Sequence, residues 1–227
     1  MDRQLYESIE SHMLSSCMKD SAHDKEHVYR VLYVALDIAA TEEDIDMDVL
    51  VASCLLHDIG REAQYRDPNL CHAEEGSLMA YDFLLKEGWP LEKAAHVRQC
   101  ILTHRYRSDR PPQSIEAKIL FDADKIDATG TLGIARTLTY QGQGSRPLYT
   151  VDGEGNVMDG GGDEPPSFFR EYRFKLENVY DRFHTQRAHD IARERRQSAV
   201  SFYDAMLKEA NGCYLNGKRD LNTILKQ

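Results

Sequence analysis

The feature that most constrains the fold is the run VLVASCLL at residues 49–56, which is apolar on nearly every side of a helix. Asp46 and Asp48 place negative charge just before it, as helix N-termini favour. A helix that is apolar all round belongs in the centre of a domain. The run ends at the pair His57-Asp58, and Gly60 follows, a residue typical of helix ends. The sequence therefore predicts a central helix that carries a histidine and a carboxylate at its C-terminal end.

Helical periodicity continues along most of the chain. Apolar residues three and four apart indicate a buried helical face over 28–40. Further helices are predicted over 73–87, 91–104, 114–128, 130–141, 168–183 and 186–210. A short hairpin near 147–158 is the one candidate for extended structure. We therefore predict an all-α, single-domain helical bundle.

The segment 141–167 interrupts this helical pattern. It is rich in glycine and proline, and a connection of that length is typical of a functional lid or a mobile loop. We treat it as an excursion from the bundle, with residues 1–210 as the domain and 211–227 as a C-terminal tail.

Composition limits the class of protein. Of the 227 residues, 41% are hydrophobic and 29% are charged, which favours a folded core over disorder. Lys and Arg number 28 against 38 Asp and Glu, and the formal charge of -10 argues against a nucleic-acid partner, because phosphate contacts need clustered cations. A small phosphorylated substrate needs only a local positive pocket and stays compatible with this balance.

Localisation is predicted from what the sequence lacks. The N-terminal residues have no signal-peptide core, and no apolar run approaches the roughly 18–20 residues of a membrane span. The five cysteines are odd in number and show no CxxC pairing, so we expect reduced, structural thiols. A cytoplasmic protein without a membrane partner is expected.

Four polar side chains lie in or beside these apolar helices: His27, His57, Asp58 and Asp124. A carboxylate on an apolar helix is costly unless it is paired or bound to a metal. Imidazole and carboxylate donors together suit a borderline or hard divalent cation. A cation held in this way can deprotonate water and polarise a phosphoryl oxygen, so the pattern predicts hydrolase chemistry.

Three strings carry a resemblance to a known family: HDKEHVYRV at 23–31, LHDIG at 56–60 and DADKIDA at 122–128. Together they resemble the His … His-Asp … Asp pattern of the HD superfamily of metal-dependent phosphohydrolases. Residues 185–188 and 191–195 resemble the C-terminal helices of a bacterial subgroup of HD-domain nucleotide phosphohydrolases. The resemblance implies an HD-type bundle and an enzyme that hydrolyses phosphate ester or anhydride bonds, with a (d)NTP-type nucleotide as substrate.

Carried over position by position, the resemblance makes His27, His57, Asp58 and Asp124 the metal ligands. Asp122 is the rival for the last place. Asp124 is favoured because the family's final acid precedes a basic residue, here a lysine. The implied cofactor is one divalent ion or more, and these donors accommodate Mn, Fe, Ni, Co, Mg or Zn.

Three residues are candidates for catalysis. Asp58 would accept a proton, and Arg61 and Lys125 would offset charge on the phosphoryl oxygens. Arg61 is equally compatible with a solvated cation at a helix end. Lys125 is equally compatible with an ion pair to Asp122.

Two further pairs surround these residues. His72 and His104 match positions that hold a second metal or contact phosphate in two-metal members, and the alternative for each is a helix-cap or core histidine. His23 and Asp24 are expected to orient His27 or to cap its helix.

Some family branches are disfavoured by departures from their patterns. The Glu-Asp pair of the stringent-response hydrolases, the later acid of the nucleotidases and the Gly-Tyr-Pro string of the cyclic-dinucleotide branch are all missing. The contrary hypothesis is a metal-loaded module that senses a nucleotide with little or no turnover. A homodimer is left open as the assembly state.

Overall fold

The computed structural model of the protein describes residues 1–17, 23–105, 110–162 and 164–225. These residues form α1 (Arg3–Ser16), α2 (Lys25–Ala39), α3 (Met47–Leu56), α4 (Arg61–Arg66), α5 (His72–Lys86), α6 (Leu91–Thr103), α7 (Ile115–Ile126), α8 (Gly130–Gln143), α9 (Phe168–Glu171) and α10 (Gln186–Leu225). Within the described ranges, extended pairing is limited to one antiparallel bridge between Val151 and Val157, where the short hairpin was predicted. The all-α prediction is confirmed.

The described chain divides into two compact units. The first comprises Met1–Asp127 and Phe183–Asp190, and the second comprises Ala128–Arg182 and Ile191–Gln227. Helix α10 continues past residue 210 without a break to Leu225. The division into a 1–210 domain and a tail stays a prediction. None of the described helices has both the length and the apolar character needed to cross a membrane.

Helix α3 is the centre of the first unit, as its apolar run predicted. Seven of its ten residues are buried, and it contacts α1, α2, α6 and α7. Full burial of each of its leucines is worth about 1.5–3 kcal/mol. The Asp46 side chain caps the helix by accepting hydrogen bonds from the backbone N–H groups of Asp48 and Val49. A rigid, buried helix therefore presents His57 and Asp58 at its C-terminal end.

The turn after α3 lies directly against α5. A Cβ atom on Gly60 would lie 2.2 Å from the carbonyl oxygen of His72 and 2.5 Å from the backbone nitrogen of Gly76. Only glycine allows two backbones to approach this closely. The contact brings the His57-Asp58 pair beside the first turn of α5, where His72 lies.

In the second unit, the prediction of one long helix over 168–183 is wrong. Helix α9 gives way to a π-helical turn over Tyr172–Leu176 and a 3-10 turn over Val179–Asp181. The side chain of Asn178 donates to the carbonyl oxygens of Arg173 and Phe174, at 2.9 and 3.3 Å, and so takes acceptors that a continuing helix would use. A side chain that competes for backbone acceptors in this way ends a helix.

The excursion 141–167 is tied down at several points of the second unit. The buried carboxylate of Glu164 accepts hydrogen bonds from the Gly160 backbone N–H, at 3.0 Å, and from the Thr150 hydroxyl, at 3.3 Å. Gly160 has a φ of +84°, and a Cβ there would lie 2.3 Å from the carbonyl oxygen of Phe169. The Tyr203 hydroxyl donates to the Asp159 carbonyl at 2.5 Å. Backbone and side-chain contacts therefore fix this glycine-rich segment.

Candidate metal centre

Six side chains from five parts of the first unit come together in its interior. They are His27 of α2, His57 and Asp58 at the end of α3, His72 of α5, His104 at the end of α6, and Asp124 of α7. The four imidazoles are 0–4% exposed and Asp58 is 8% exposed. The structure therefore brings together all four residues predicted as ligands and the two histidines assigned to a second metal or to phosphate.

The first group consists of His27, His57 and Asp124. The Nε2 atom of His27 lies 3.3 Å from Nε2 of His57 and 3.5 Å from Oδ1 of Asp124. The donor atoms of the three side chains all lie within 4.8 Å of one another. Oδ2 of Asp58 lies 3.5 Å from both imidazole Nε2 atoms. Four donors thus face one point, the arrangement expected for a mixed N/O cation site.

The second group shares the Asp58 carboxylate. Its Oδ1 atom lies 3.7 Å from Nε2 of His72 and 3.7 Å from Nε2 of His104. One oxygen of Asp58 therefore faces the first group and the other oxygen faces the second. The two groups are adjacent, with Asp58 between them.

Three buried atoms of the second group have no hydrogen-bond partner among the residues that the structure describes: Oδ1 of Asp58, Nε2 of His72 and Nε2 of His104. Leaving a buried polar atom unsatisfied costs about 1–3 kcal/mol, so three such atoms at one place need an explanation. All three are lone-pair donors that a cation would satisfy. The donor set therefore fits a divalent metal.

The histidine rings are held with Nε2 facing the centre. Nδ1 of His57 donates to the Cys54 carbonyl at 2.8 Å, and Nδ1 of His104 donates to the Ile101 carbonyl at 2.6 Å. A carbonyl oxygen only accepts, so Nδ1 carries the proton and Nε2 of the neutral ring keeps its lone pair. This tautomer is the one that binds a metal through Nε2.

Burial keeps two of the rings neutral. It lowers the pKa of His57 to about 4 and the pKa of His72 to about 2, because the charged imidazolium is poorly solvated in the interior. Nδ1 of His72 lies 2.6 Å from Oε1 of Gln64, which leaves its Nε2 toward the site. At neutral pH both rings are therefore in the form that binds metals.

Both carboxylates are ionised. Burial opposes the charge on Asp58, but the Arg61 guanidinium and the neighbouring imidazoles together outweigh it and hold the pKa of Asp58 well below its usual range. Arg61 Nε donates to Oδ2 of Asp58 at 2.5 Å. Burial likewise opposes the charge on Asp124, but the Lys125 ammonium and the neighbouring imidazoles together outweigh it, so that the pKa of Asp124 is also well below its usual range.

Of the two roles predicted for Lys125, the ion pair with Asp122 is wrong. Its Nζ atom donates to Oδ2 of Asp124 at 2.6 Å and to the His104 carbonyl at 3.2 Å. Because the two acids are two residues apart on α7, they point in different directions, and the lysine follows Asp124.

Asp122 faces away from the site. Its buried carboxylate accepts hydrogen bonds from the backbone N–H groups of His184 and Thr185, at 2.9 and 2.8 Å, and from the Thr185 hydroxyl at 2.8 Å. These contacts fix the start of α10 against α7. Of the two rival acids, the structure therefore puts Asp124 beside His27 and His57.

The two residues before α2 have different contacts. The Asp24 side chain caps the helix by accepting from the His27 backbone N–H at 2.9 Å, as predicted. The His23 ring meets the His27 ring edge to face, with the ring centroids 5.9 Å apart. The carboxylate that contacts the His27 imidazole belongs to a different residue.

That partner is Asp127, which sequence reasoning missed. Its Oδ2 atom lies 2.7 Å from Nδ1 of His27. The available signal was the spacing within the DADKIDA string, where Asp127 follows Asp124 by three residues and so shares its face of the helix.

Comparison with known proteins matches residues 25–129 to the HD domain family. YpgQ of Bacillus subtilis is 29% identical over 198 residues, which cover 86% of this chain and 87% of YpgQ. The crystal structure of YpgQ in complex with ADP is similar with a TM-score of 0.70 and 25% identity, covering 91% of this chain and 98% of that one.

Two other similarities differ in extent. The crystal structure of a predicted HD superfamily hydrolase from an uncultured Thermotogales bacterium is 27% identical with a TM-score of 0.59, and the match covers 91% of each chain. The 3′-5′ exoribonuclease YhaM of Halalkalibacterium halodurans is 31% identical over 116 residues, but these cover 45% of this chain and only 36% of YhaM. The segment that matches the HD domain family, residues 25–129, contains all six side chains of the centre, which confirms the predicted resemblance over that segment.

Proposed function

We propose that the protein is a divalent-metal-dependent phosphohydrolase that acts on nucleotides of the (d)NTP type. The match of residues 25–129 to the HD domain family supports hydrolysis with a metal, and the donor set of the centre supports it independently. The nucleotide is supported by YpgQ, which matches this chain over most of its length and was crystallised with ADP.

The observation that carries the proposal is that the two oxygens of the Asp58 carboxylate face two different groups of imidazole donors. In the proposal, His27, His57, Asp58 and Asp124 hold a divalent ion. His72 and His104 hold a second ion or contact the substrate phosphate. When bound, such an ion acidifies water and polarises a phosphoryl oxygen.

Two cations at the centre are the proposed phosphate contacts. The side chains of Arg61 and Lys125 are 22% and 21% exposed, whereas the donor atoms behind them are buried. A guanidinium and an ammonium in this position would offset charge on the phosphoryl oxygens of a bound nucleotide.

Asp58 serves better as a ligand than as the proton acceptor that the sequence predicts. Burial opposes its charge, but the Arg61 guanidinium and the neighbouring imidazoles together hold its pKa well below the usual range, and a weakly basic carboxylate accepts protons poorly.

The test combines metal analysis with product release. The purified protein is loaded with Mn²⁺ and incubated with nucleoside triphosphates, deoxynucleoside triphosphates and ADP, and free phosphate and pyrophosphate are measured separately. We expect turnover of at least one nucleotide by the wild type, loss of turnover in Asp58→Ala, and wild-type rates in Asp82→Ala, which removes an exposed carboxylate. Equal turnover by the wild type and Asp58→Ala would refute the proposal.

The second candidate is a nucleotide sensor with little or no turnover. It is favoured by the ion pairs of Arg61 with Asp58 and of Lys125 with Asp124, because a paired cation is less available to a transition state. Metal and nucleotide binding without any product would support it. Because the chain is similar to part of the exoribonuclease YhaM, an RNA oligonucleotide is included in the same screen. The net charge of -10 disfavours RNA binding, so we expect the oligonucleotide to stay intact.

A further inference from the structure

The imidazole of His27 has a carboxylate close to each of its two nitrogens. Nδ1 lies 2.7 Å from Oδ2 of Asp127, and Nε2 lies 3.5 Å from Oδ1 of Asp124. The two acids are three residues apart at the C-terminal end of α7, so they lie on one face of that helix. One turn of α7 therefore holds both edges of the ring.

Asp127 is itself fixed by Arg30. Arg30 Nε donates to Oδ1 at 2.7 Å, and Nη2 donates to Oδ2 at 3.0 Å, which is a bidentate pair. Arg30 follows His27 by three residues and so lies on the same face of α2. Asp127 is 2% exposed, and the Arg30 side chain is 32% exposed. Two side chains of α2, those of His27 and Arg30, therefore contact the buried carboxylate of Asp127.

The position of His27 in its helix explains why it needs a partner from another helix. His57 and His104 lie at helix C-termini, and each ring donates to a carbonyl in the last turn of its own helix, that of Cys54 or that of Ile101. His27 is the third residue of α2, so no complete turn of its own helix precedes it to offer such a carbonyl. A carboxylate from α7 supplies the acceptor instead.

We propose that Asp127 is a positioning residue of the metal centre, with Arg30 as its clamp. By accepting from Nδ1, Asp127 fixes the proton on that nitrogen and turns Nε2 toward the other donors. A carboxylate partner also makes the imidazole a stronger electron donor than a carbonyl does. The inference rests on the proposed function only in requiring that the centre binds a metal.

The test measures Co²⁺ affinity and the Co²⁺ absorption spectrum, neither of which depends on turnover. Asp127→Ala is expected to bind Co²⁺ about 10- to 100-fold more weakly than the wild type, as for other partners of metal-bound histidines. Asp127→Asn keeps an oxygen that can accept from Nδ1 but places an N–H group toward Arg30, so its affinity should fall between the two. Arg30→Gln, which loses the bidentate clamp, should also weaken binding.

The matched control is Asp122→Asn, a change to another buried acid of α7. Its contacts are with residues 184 and 185 and not with the centre. It should lower the melting temperature while leaving the Co²⁺ affinity and spectrum of the folded protein unchanged. A loss of affinity equal to that of Asp127→Ala would mean that any buried acid of α7 acts through stability, and the positioning role would be rejected.

A second measurement follows the proton itself. In the metal-free wild type, the His27 Nδ1–H should give a downfield, exchange-protected proton NMR signal, which Asp127→Ala abolishes and Asp122→Asn retains. If the wild type binds Co²⁺ and Asp127→Ala binds it equally well, only the positioning role fails. If the wild type binds no Co²⁺, the proposed function fails with it. Should Asp127→Ala not fold, unaltered affinity in both Asp127→Asn and Arg30→Gln would overturn the inference.

Discussion

At the scale of single residues, α7 separates two acids that look alike in sequence. Asp122 and Asp124 are two positions apart, yet one satisfies backbone N–H groups of residues 184 and 185 and the other faces two imidazoles. Their direction around the helix decides the difference, since neighbours two residues apart point about 200° apart. The same carboxylate chemistry thus serves folding in one case and a candidate metal site in the other.

This separation predicts opposite results for two alanine variants. Asp124→Ala should lose bound metal, because it removes a donor from the group with His27 and His57. Asp122→Ala should retain metal but lose stability by about 1–3 kcal/mol, because buried N–H groups are left without an acceptor. Metal content by elemental analysis, together with thermal denaturation, distinguishes them. Metal lost from Asp122→Ala and retained by Asp124→Ala would reverse the assignment.

At the scale of elements, the centre depends on how closely the turn after α3 approaches α5. Gly60 has an ordinary φ of -82°, so its importance lies in the contact and not in backbone strain. Asp58 lies just before Gly60, and His72 contributes the carbonyl that Gly60 approaches. The contact between the turn and α5 therefore sets the distance between Asp58 and His72.

Gly60→Ala should therefore disturb the fold and the metal centre together. The added methyl would meet the His72 carbonyl at 2.2 Å, and overpacking of this kind costs about 1–3 kcal/mol. We expect a lower melting temperature and weaker metal binding. Gly212→Ala in α10 is the matched control, because nothing lies within 4 Å of its added Cβ and a helical Gly→Ala change stabilises by about 0.8–1 kcal/mol. Unchanged stability and metal affinity in Gly60→Ala would show that α5 can move to accommodate it.

Sequence reasoning succeeded where local patterns determine structure. The apolar run of α3 predicted its central position, and three motifs predicted which side chains meet, because each motif is a short string at the end or start of a helix. It failed for Asp127, whose partner His27 lies 100 residues away, and for 168–183, where the Asn178 side chain ends the helix. Both failures come from tertiary or side-chain contacts that periodicity does not record.

At the scale of the whole molecule, a divalent ion bound at the candidate metal centre would stabilise the first unit. The donors of this centre come from α2, α3, α5, α6 and α7, and within the described part of the chain three of its buried atoms have no hydrogen-bond partner. An ion that satisfies them binds the folded chain and not the unfolded one, so it stabilises the fold by mass action.

Metal removal should therefore destabilise the protein in a site-dependent way. At about 100 times the dissociation constant, a bound ion adds about 2.7 kcal/mol to the free energy of unfolding. Chelation should lower the melting temperature of the wild type and of Asp82→Ala but not that of Asp58→Ala. Hydrogen exchange, followed segment by segment, should show metal-dependent protection in α3, α5 and α7. Because the protein has a net charge of -10, cations can also bind diffusely to its surface. If metal stabilises Asp58→Ala as much as the wild type, this diffuse binding, and not the buried centre, accounts for the effect.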